Sequence, residues 1–227
     1  MFSGLYVALV TPFIDGKVDY NALTDLVLFH LDMGTTGLVP CGTTGESATL
    51  SDEEKRRIIE TVINTADGQC KVLAGTGTND TADTIEMTRF AQEHGAEGAL
   101  IVTPYYNKPM QEGLYRHYRA IADAVDLPIM LYNVPSRTTV NLSSETVIRL
   151  AEHENIVAIK EASLNLNQVC EILRGCDIAV LAGDDAYTLP IMAMGGTGVV
   201  SVVGNIVPKD MLALVEAVAS GNYAEAR

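Results

Sequence analysis

The stretch His94-Gly95-Ala96-Glu97-Gly98-Ala99-Leu100-Ile101-Val102 ends one pattern and begins another. Before it, apolar residues recur at helical spacing; after Gly98 they run together with no polar alternation. A glycine just past a helix suits the left-handed C′ position, and an unbroken apolar run reads as a strand buried on both faces of a parallel sheet. The same form returns at Met33-Gly34-Thr35-Thr36-Gly37-Leu38-Val39 and at Met194-Gly195-Gly196-Thr197-Gly198-Val199-Val200.

Outward from these units, the pattern predicts strands over Leu5–Val10, Gly37–Val39, Lys71–Ala74, Ala99–Val102, Ile129–Tyr132, Ile156–Lys160, Ala179–Ala182 and Val199–Val203. Helical spacing fills the intervals, over Asn21–Met33, Asp52–Ala66, Ala82–His94, Gln111–Val125, Ser144–Glu152, Leu166–Leu173, Ala186–Met194 and Lys209–Ala219. Ser51-Asp52-Glu53-Glu54 is a capping box, and Ser143 can cap the fifth helix. Eight strand–helix units in one domain predict an α/β fold, a closed (β/α)8 TIM barrel over residues 1–221. An open doubly wound sheet is the alternative. The Gly-x-x-Gly turns precede strands and so belong to the N-terminal face, which makes Gly195-Gly196-Thr197-Gly198 a structural turn rather than a phosphate cradle.

The bulk properties bound the function. A chain of 227 residues, 48% hydrophobic, suits a single large core. A formal net charge of -14 argues against nucleic acid or an anionic membrane as partner. No apolar run reaches the roughly 18 residues that a spanning helix needs. Met1-Phe2-Ser3-Gly4 has no basic flank of the kind a signal peptide carries. Cys41, Cys70, Cys170 and Cys176 form no Cys-x-x-Cys pair, so reduced thiols in the cytoplasm are expected.

In a barrel of this kind, chemistry gathers where strands end. After the predicted strands come Thr11-Pro12-Phe13, Pro40-Cys41-Gly42-Thr43-Thr44-Gly45-Glu46, Gly75-Thr76-Gly77-Thr78-Asn79, Thr103-Pro104-Tyr105-Tyr106-Asn107, Tyr132-Asn133-Val134-Pro135-Ser136-Arg137, Lys160-Glu161 and Gly183-Asp184-Asp185. Of six lysines, only Lys160 directly ends an apolar strand. Partial burial there disfavours the ammonium and frees the amine to attack a carbonyl. The plainer alternatives are a lysine snorkelling to solvent or paired with Glu161.

Tyr132, Tyr106, Thr43 and Thr44 offer the hydroxyls that carbinolamine dehydration and enamine formation need, although barrel packing and turn formation also explain them. Gly42-Thr43-Thr44-Gly45 can present open backbone N–H groups to a carboxylate. Arg137 can hold a carboxylate bidentately, or simply be a surface arginine. Asp184 and Asp185 read best as helix-capping acids. His30, His94, His117 and His153 lie on four separate helices without metal-ligand spacing, so no metal is expected. No dinucleotide or Walker fingerprint is present.

Gly42-Thr43-Thr44-Gly45-Glu46, Tyr105-Tyr106, Tyr132-Asn133-Val134-Pro135-Ser136-Arg137-Thr138 and Ile159-Lys160-Glu161-Ala162 closely resemble the dihydrodipicolinate synthase family of pyruvate-dependent Schiff-base aldolases. The resemblance runs in unbroken order from about residue 4 to the C-terminus. It implies a lyase that condenses pyruvate, as a Lys160 imine and enamine, with L-aspartate-4-semialdehyde in lysine and diaminopimelate biosynthesis, with no separate cofactor. Tyr132, Thr43 and a neighbouring subunit's Tyr106 would relay protons. The Thr43–Thr44 backbone would bind the pyruvate carboxylate, Arg137 that of the semialdehyde, and the backbone at Gly183 and Val200 would line the site. A homotetramer is implied.

Ser47, Ala48, Asn79 and Tyr105 match a lysine-effector site, yet Asp52 and Lys55 stand where lysine-inhibited members often carry histidines, so weak feedback is expected. The resemblance implies a further C-terminal helical region in the family, of which residues 222–227 are expected to be the start and the rest to be largely absent. The alternatives are a lyase of N-acetylneuraminate or 2-keto-3-deoxy sugar acids, or an inactive truncated barrel.

Overall fold

The structure, a computed structural model, describes residues 2–227. β1 (Gly4–Ala8) is followed by a small antiparallel hairpin, β2 (Phe13–Ile14) and β3 (Lys17–Val18). The other strands are β4 (Gly37–Val39), β5 (Lys71–Gly75), β6 (Gly98–Val102), β7 (Ile129–Asn133), β8 (Ile156–Glu161), β9 (Ala179–Ala182) and β10 (Gly198–Ser201). Apart from the hairpin, they form a closed ring in the order β1-β10-β9-β8-β7-β6-β5-β4. All pairs in the ring are parallel, and β1 closes it by pairing with both β10 and β4. The (β/α)8 barrel predicted from the strand pattern is what the chain forms.

Residues alternate across each strand, which divides the core in two. Tyr6, Ala8, Val39, Leu73, Leu100, Met130, Tyr132, Ala158, Leu181 and Val200 fill the barrel interior as one cluster. Leu5, Val7, Leu38, Val72, Ile101, Leu131, Ile159 and Val199 face outward into a larger layer beneath the helices. Both faces are apolar, which is why these strands show no polar alternation. The fully buried Tyr6 ring fits because its neighbour is Gly37; a Cβ there would overlap the ring.

The helices are α1 (Tyr20–Met33), α2 (Asp52–Ala66), α3 (Thr81–Glu93), α4 (Gln111–Ala122), α5 (Pro135–Thr138), α6 (Ser144–Leu150), α7 (Leu166–Gly175), α8 (Thr188–Ala193), α9 (Pro208–Ala219) and α10 (Tyr223–Ala226). Their starts are set by side chains that accept from orphan N–H groups: Asp19 for α1, Asp80 for α3, Ser143 for α6 and Asn165 for α7. The capping box at Ser51 and Glu54 is complete. Gly34, Gly95 and Gly195 have φ of 78°, 92° and 114°, the positive values expected of these helix-terminating turns.

Two elements depart from the sequence pattern. The helix expected over Ala186–Met194 is a 3-10 turn, Asp185–Tyr187, followed by α8. Pro190 has no N–H and is tolerated only in a first turn, so the helix starts late. The last barrel strand stops at Ser201 and a 3-10 turn, Val203–Asn205, follows. Among the described residues no helix is long and apolar enough to cross a membrane.

Candidate active site

Among the described residues Lys160 is the only buried lysine; Lys17, Lys71, Lys108 and Lys209 are exposed and Lys55 is half-buried. At 4% exposure it occupies the interior face of β8, and its Nζ stands 4.2 Å from the Tyr132 ring centroid. Tyr132 is its register partner on β7. Burial lowers the Lys160 pKa from 10.5 to about 8. Asp185 opposes that fall and Arg137 adds to it. The amine is therefore within reach of its neutral, nucleophilic form near physiological pH.

Neither plain alternative for Lys160 fits. It does not reach solvent, and Glu161 points to the opposite face of the strand, where it accepts from Ser163 N at 2.7 Å and Gln168 Nε2 at 3.0 Å. Burial raises the Tyr132 pKa, while the Thr43 side chain and Arg137 partly offset the rise. A phenol held near a hydroxyl and a cation is suited to passing a proton rather than keeping it off.

The loop after β4 curls tightly back on itself. Cys41 and Glu46 both have positive φ (56° and 60°) and bracket Gly42–Gly45. Inside it, Gly45 N donates to Gly42 O and Glu46 N to Thr43 O. The N–H groups of Thr43 and Thr44 donate to nothing among the described residues. Thr11 holds the loop from β1, its hydroxyl donating to Gly45 O at 2.7 Å. Gly75 holds it from β5, because a Cβ at that position would fall on the Cys41 carbonyl. Two free amides side by side suit a carboxylate.

Gly183, at the end of β9, stands against Lys160: a Cβ there would lie 3.1 Å from Lys160 Cγ and 2.7 Å from Ala162 Cβ. Val200 is buried in the interior cluster beside Tyr132. Arg137 is exposed on α5, where Pro135 occupies the first helical position. A cavity of about 570 Å³ has both Arg137 and Thr43 in its wall, together with Ser47, Ala48, Asn79 and Tyr105. The suggested carboxylate sites and the suggested effector residues thus share one space, although Lys160 and Tyr132 are not in its wall. Asn79 Nδ2 donates to Tyr105 O at 3.1 Å, fixing the two loops to each other. Asp52 and Lys55, at its edge, form an ion pair of 3.0 Å.

Tyr106 stands apart from this group. It is 88% exposed with φ of 73°, directed to solvent rather than to Lys160. Asp184 does cap its turn, accepting from Ala186 N. Asp185 does not: its Oδ2 reaches across to accept from Val202 N and Val203 N at 3.1 and 3.0 Å, tying the β9 loop to the β10 loop. Capping preference alone could not reveal that crossing. The histidines have structural explanations. Burial pushes His30 and His117 down to about 4, and His94 and His153 pair with Glu60 and Asp123. All four cysteines are free.

Comparison with known proteins places this geometry. The model of the dihydrodipicolinate synthetase family matches residues 1–227. A 4-hydroxy-tetrahydrodipicolinate synthase from Citrifermentans bemidjiense is 58% identical over 229 residues, covering 100% of this chain and 79% of the relative. Among solved structures, the dihydrodipicolinate synthase from Aquifex aeolicus matches with a TM-score of 0.98 at 48% identity, over 100% of this chain and 78% of that one. A dihydrodipicolinate synthase from Acinetobacter baumannii, complexed with pyruvate, matches with a TM-score of 0.97 at 45% identity, over 100% and 79% of the two chains.

Proposed function

The chain belongs to the dihydrodipicolinate synthetase family, and from that premise we propose how its own residues divide the work of the reaction. Its activity is that of a 4-hydroxy-tetrahydrodipicolinate synthase, a lyase of lysine and diaminopimelate biosynthesis that condenses pyruvate with L-aspartate-4-semialdehyde. The neutral Lys160 amine attacks C2 of pyruvate, and the carbinolamine loses water to give an imine. The protonated imine draws electrons from C3, a C3 proton leaves, and the resulting enamine attacks the aldehyde carbon. The substrate's own amine then attacks C2, expels Lys160 and closes the ring.

Each proton in this sequence needs a carrier. Tyr132 serves at the imine, Thr43 stands behind it, and Tyr106 of a neighbouring subunit completes the relay to solvent in a homotetramer. The Thr43 and Thr44 amides hold the pyruvate carboxylate, with the backbone at Gly183 and Val200 beside it. Arg137 holds the carboxylate of the semialdehyde. The observation that carries this reading is the burial of Lys160 against Tyr132, which brings its pKa to about 8. No separate cofactor is needed, because the imine itself is the electron sink.

Ser47, Ala48, Asn79 and Tyr105 form an effector subsite for lysine, weakly inhibitory because Asp52 and Lys55 occupy its edge already paired with each other. The protein works in the cytoplasm, with reduced thiols.

Borohydride reduction in the presence of pyruvate tests the central assignment. The intact mass should rise by one reduced pyruvate adduct, mapped to Lys160. An adduct on Lys108, or none, overturns it. For the second carboxylate, Arg137→Ala should raise the semialdehyde KM; an unchanged KM removes Arg137 from its role.

A further inference from the structure

Behind the Lys160–Tyr132 pair, on the outer face of the same two strands, lies a closed polar network that the reaction as described does not use. Asn133 and Glu161 are register partners one residue beyond Tyr132 and Lys160. Both are buried, and Glu161 has no cationic partner among the described residues. Its carboxylate is held by neutral donors only: Asn133 Nδ2 at 3.2 Å to each oxygen, Gln168 Nε2 at 3.0 Å and Ser163 N at 2.7 Å. A buried carboxylate held this way is costly to desolvate and is retained where its geometry matters.

The rest of the network shows what that geometry fixes. Asn133 Oδ1 accepts from Leu142 N at 2.9 Å, and Asn133 Nδ2 also donates to Asn141 Oδ1 at 2.9 Å. Asn141 Nδ2 donates to Gln168 Oε1 at 2.8 Å, and Gln168 Nε2 to Leu142 O at 3.1 Å. Residues 133 and 141–142 are thereby pinned together, and the chain between them is the loop that carries α5 and Arg137. β7 and β8 are held by their own ladder. The Arg137 loop has no ladder; its two ends are fixed to the barrel through these amides and, through them, to Glu161.

We propose that Glu161, with Asn133, Asn141 and Gln168, is a positioning brace that sets the Arg137 loop relative to Lys160 and Tyr132. The brace thus governs the second substrate and not the first. This rests on the reading of Lys160 as nucleophile and Arg137 as carboxylate holder. Arg137 is on a short helix of four residues, and a guanidinium displaced by a fraction of an ångström cannot meet a carboxylate bidentately while the aldehyde carbon sits over the enamine.

The experiment compares two variants with wild type. Glu161→Gln keeps the shape but sets an amide N–H₂ against donors. Asn141→Ala, at an exposed position, removes two bonds of the brace and leaves Glu161 caged. Activity is counted per Lys160 that pyruvate and borohydride can trap, so misfolded protein drops out. The semialdehyde KM should rise about tenfold in Glu161→Gln and about threefold in Asn141→Ala, as expected for weakening one or two hydrogen bonds. The rate of pyruvate trapping should stay within about twofold of wild type, since imine formation does not involve the loop. Unchanged semialdehyde KM in both variants, with only a lowered Tm, overturns the brace. So does a loss of pyruvate trapping equal to the loss of turnover. If Glu161→Gln does not fold, Asn141→Ala decides alone. A wild-type protein that takes no pyruvate adduct overturns the Lys160 reading instead.

Discussion

Below about pH 8 the folded chain carries a charged amine inside a barrel whose other contents are Tyr132, Val200 and their apolar neighbours. The unfolded chain holds the same proton up to about pH 10.4. Between these values the unfolded state binds more protons, so stability rises with pH across that window; the burial penalty is fully present below 8. Replacing the amine removes the penalty. Lys160→Met should therefore be inactive yet more stable at pH 7, by as much as about 3 kcal/mol for a shift of this size. Denaturant unfolding of both proteins at pH 7 and pH 10 checks it, and the gap should narrow at the higher pH. A variant less stable at pH 7 would mean that the amine contributes packing or hydrogen bonding that outweighs its desolvation. The catalytic rate follows the same titration in the same direction: imine formation should climb as pH rises through about 8, as the free amine appears.

At the scale of elements, the proposed carboxylate site depends on how closely β5 approaches the loop after β4. A methyl group at Gly75 would occupy the place of the Cys41 carbonyl, so Gly75→Ala must push the two apart. Backbone yields less readily than a flexible side chain, and overpacking of this kind costs about 1–3 kcal/mol. The larger effect should fall on function: the pyruvate KM rises because the Thr43 and Thr44 amides no longer converge, while the semialdehyde KM changes little. Steady-state kinetics with each substrate varied in turn measure both.

This contact also shows where the sequence stops being legible. The barrel strands stood out because both their faces are apolar, and Gly37–Val39 and Ala179–Ala182 have the bounds the pattern predicts. Lys160 stood out because it ends such a run. The β2–β3 hairpin and α5 are two to four residues long, too short to carry a period. The reach of Asp185 to Val202 and Val203, and of Asn133 on β7 to Glu161 on β8, join residues 17 or more positions apart, and no local pattern encodes such pairing.

At the scale of the whole molecule, the proposed proton relay is not complete within one chain. Lys160, Tyr132, Thr43 and Arg137 gather at one mouth, but Tyr106 leaves it, 88% exposed on a residue with φ of 73°. Positive φ on a tyrosine is strained and persists where the surroundings or a function require it. Met110, four residues on, is 83% exposed as well, so the loop offers two large apolar side chains to whatever lies beyond. The proposed insertion of Tyr106 into a second copy of the chain would account for both. The two single variants Tyr106→Phe and Lys160→Arg then make complementary halves. Each alone should be nearly inactive, the first for want of a relay in every site, the second for want of a nucleophile. Dissociated, mixed and reassembled, they should regain activity. In a mixed pair one site joins the intact Lys160 of the first variant to the intact Tyr106 of the second. The regained activity should grow with the fraction of mixed assemblies and vanish on dilution below the dissociation constant of the assembly. Were Tyr106 to act on its own subunit, every site in the mixture would still lack one group, and mixing would restore nothing.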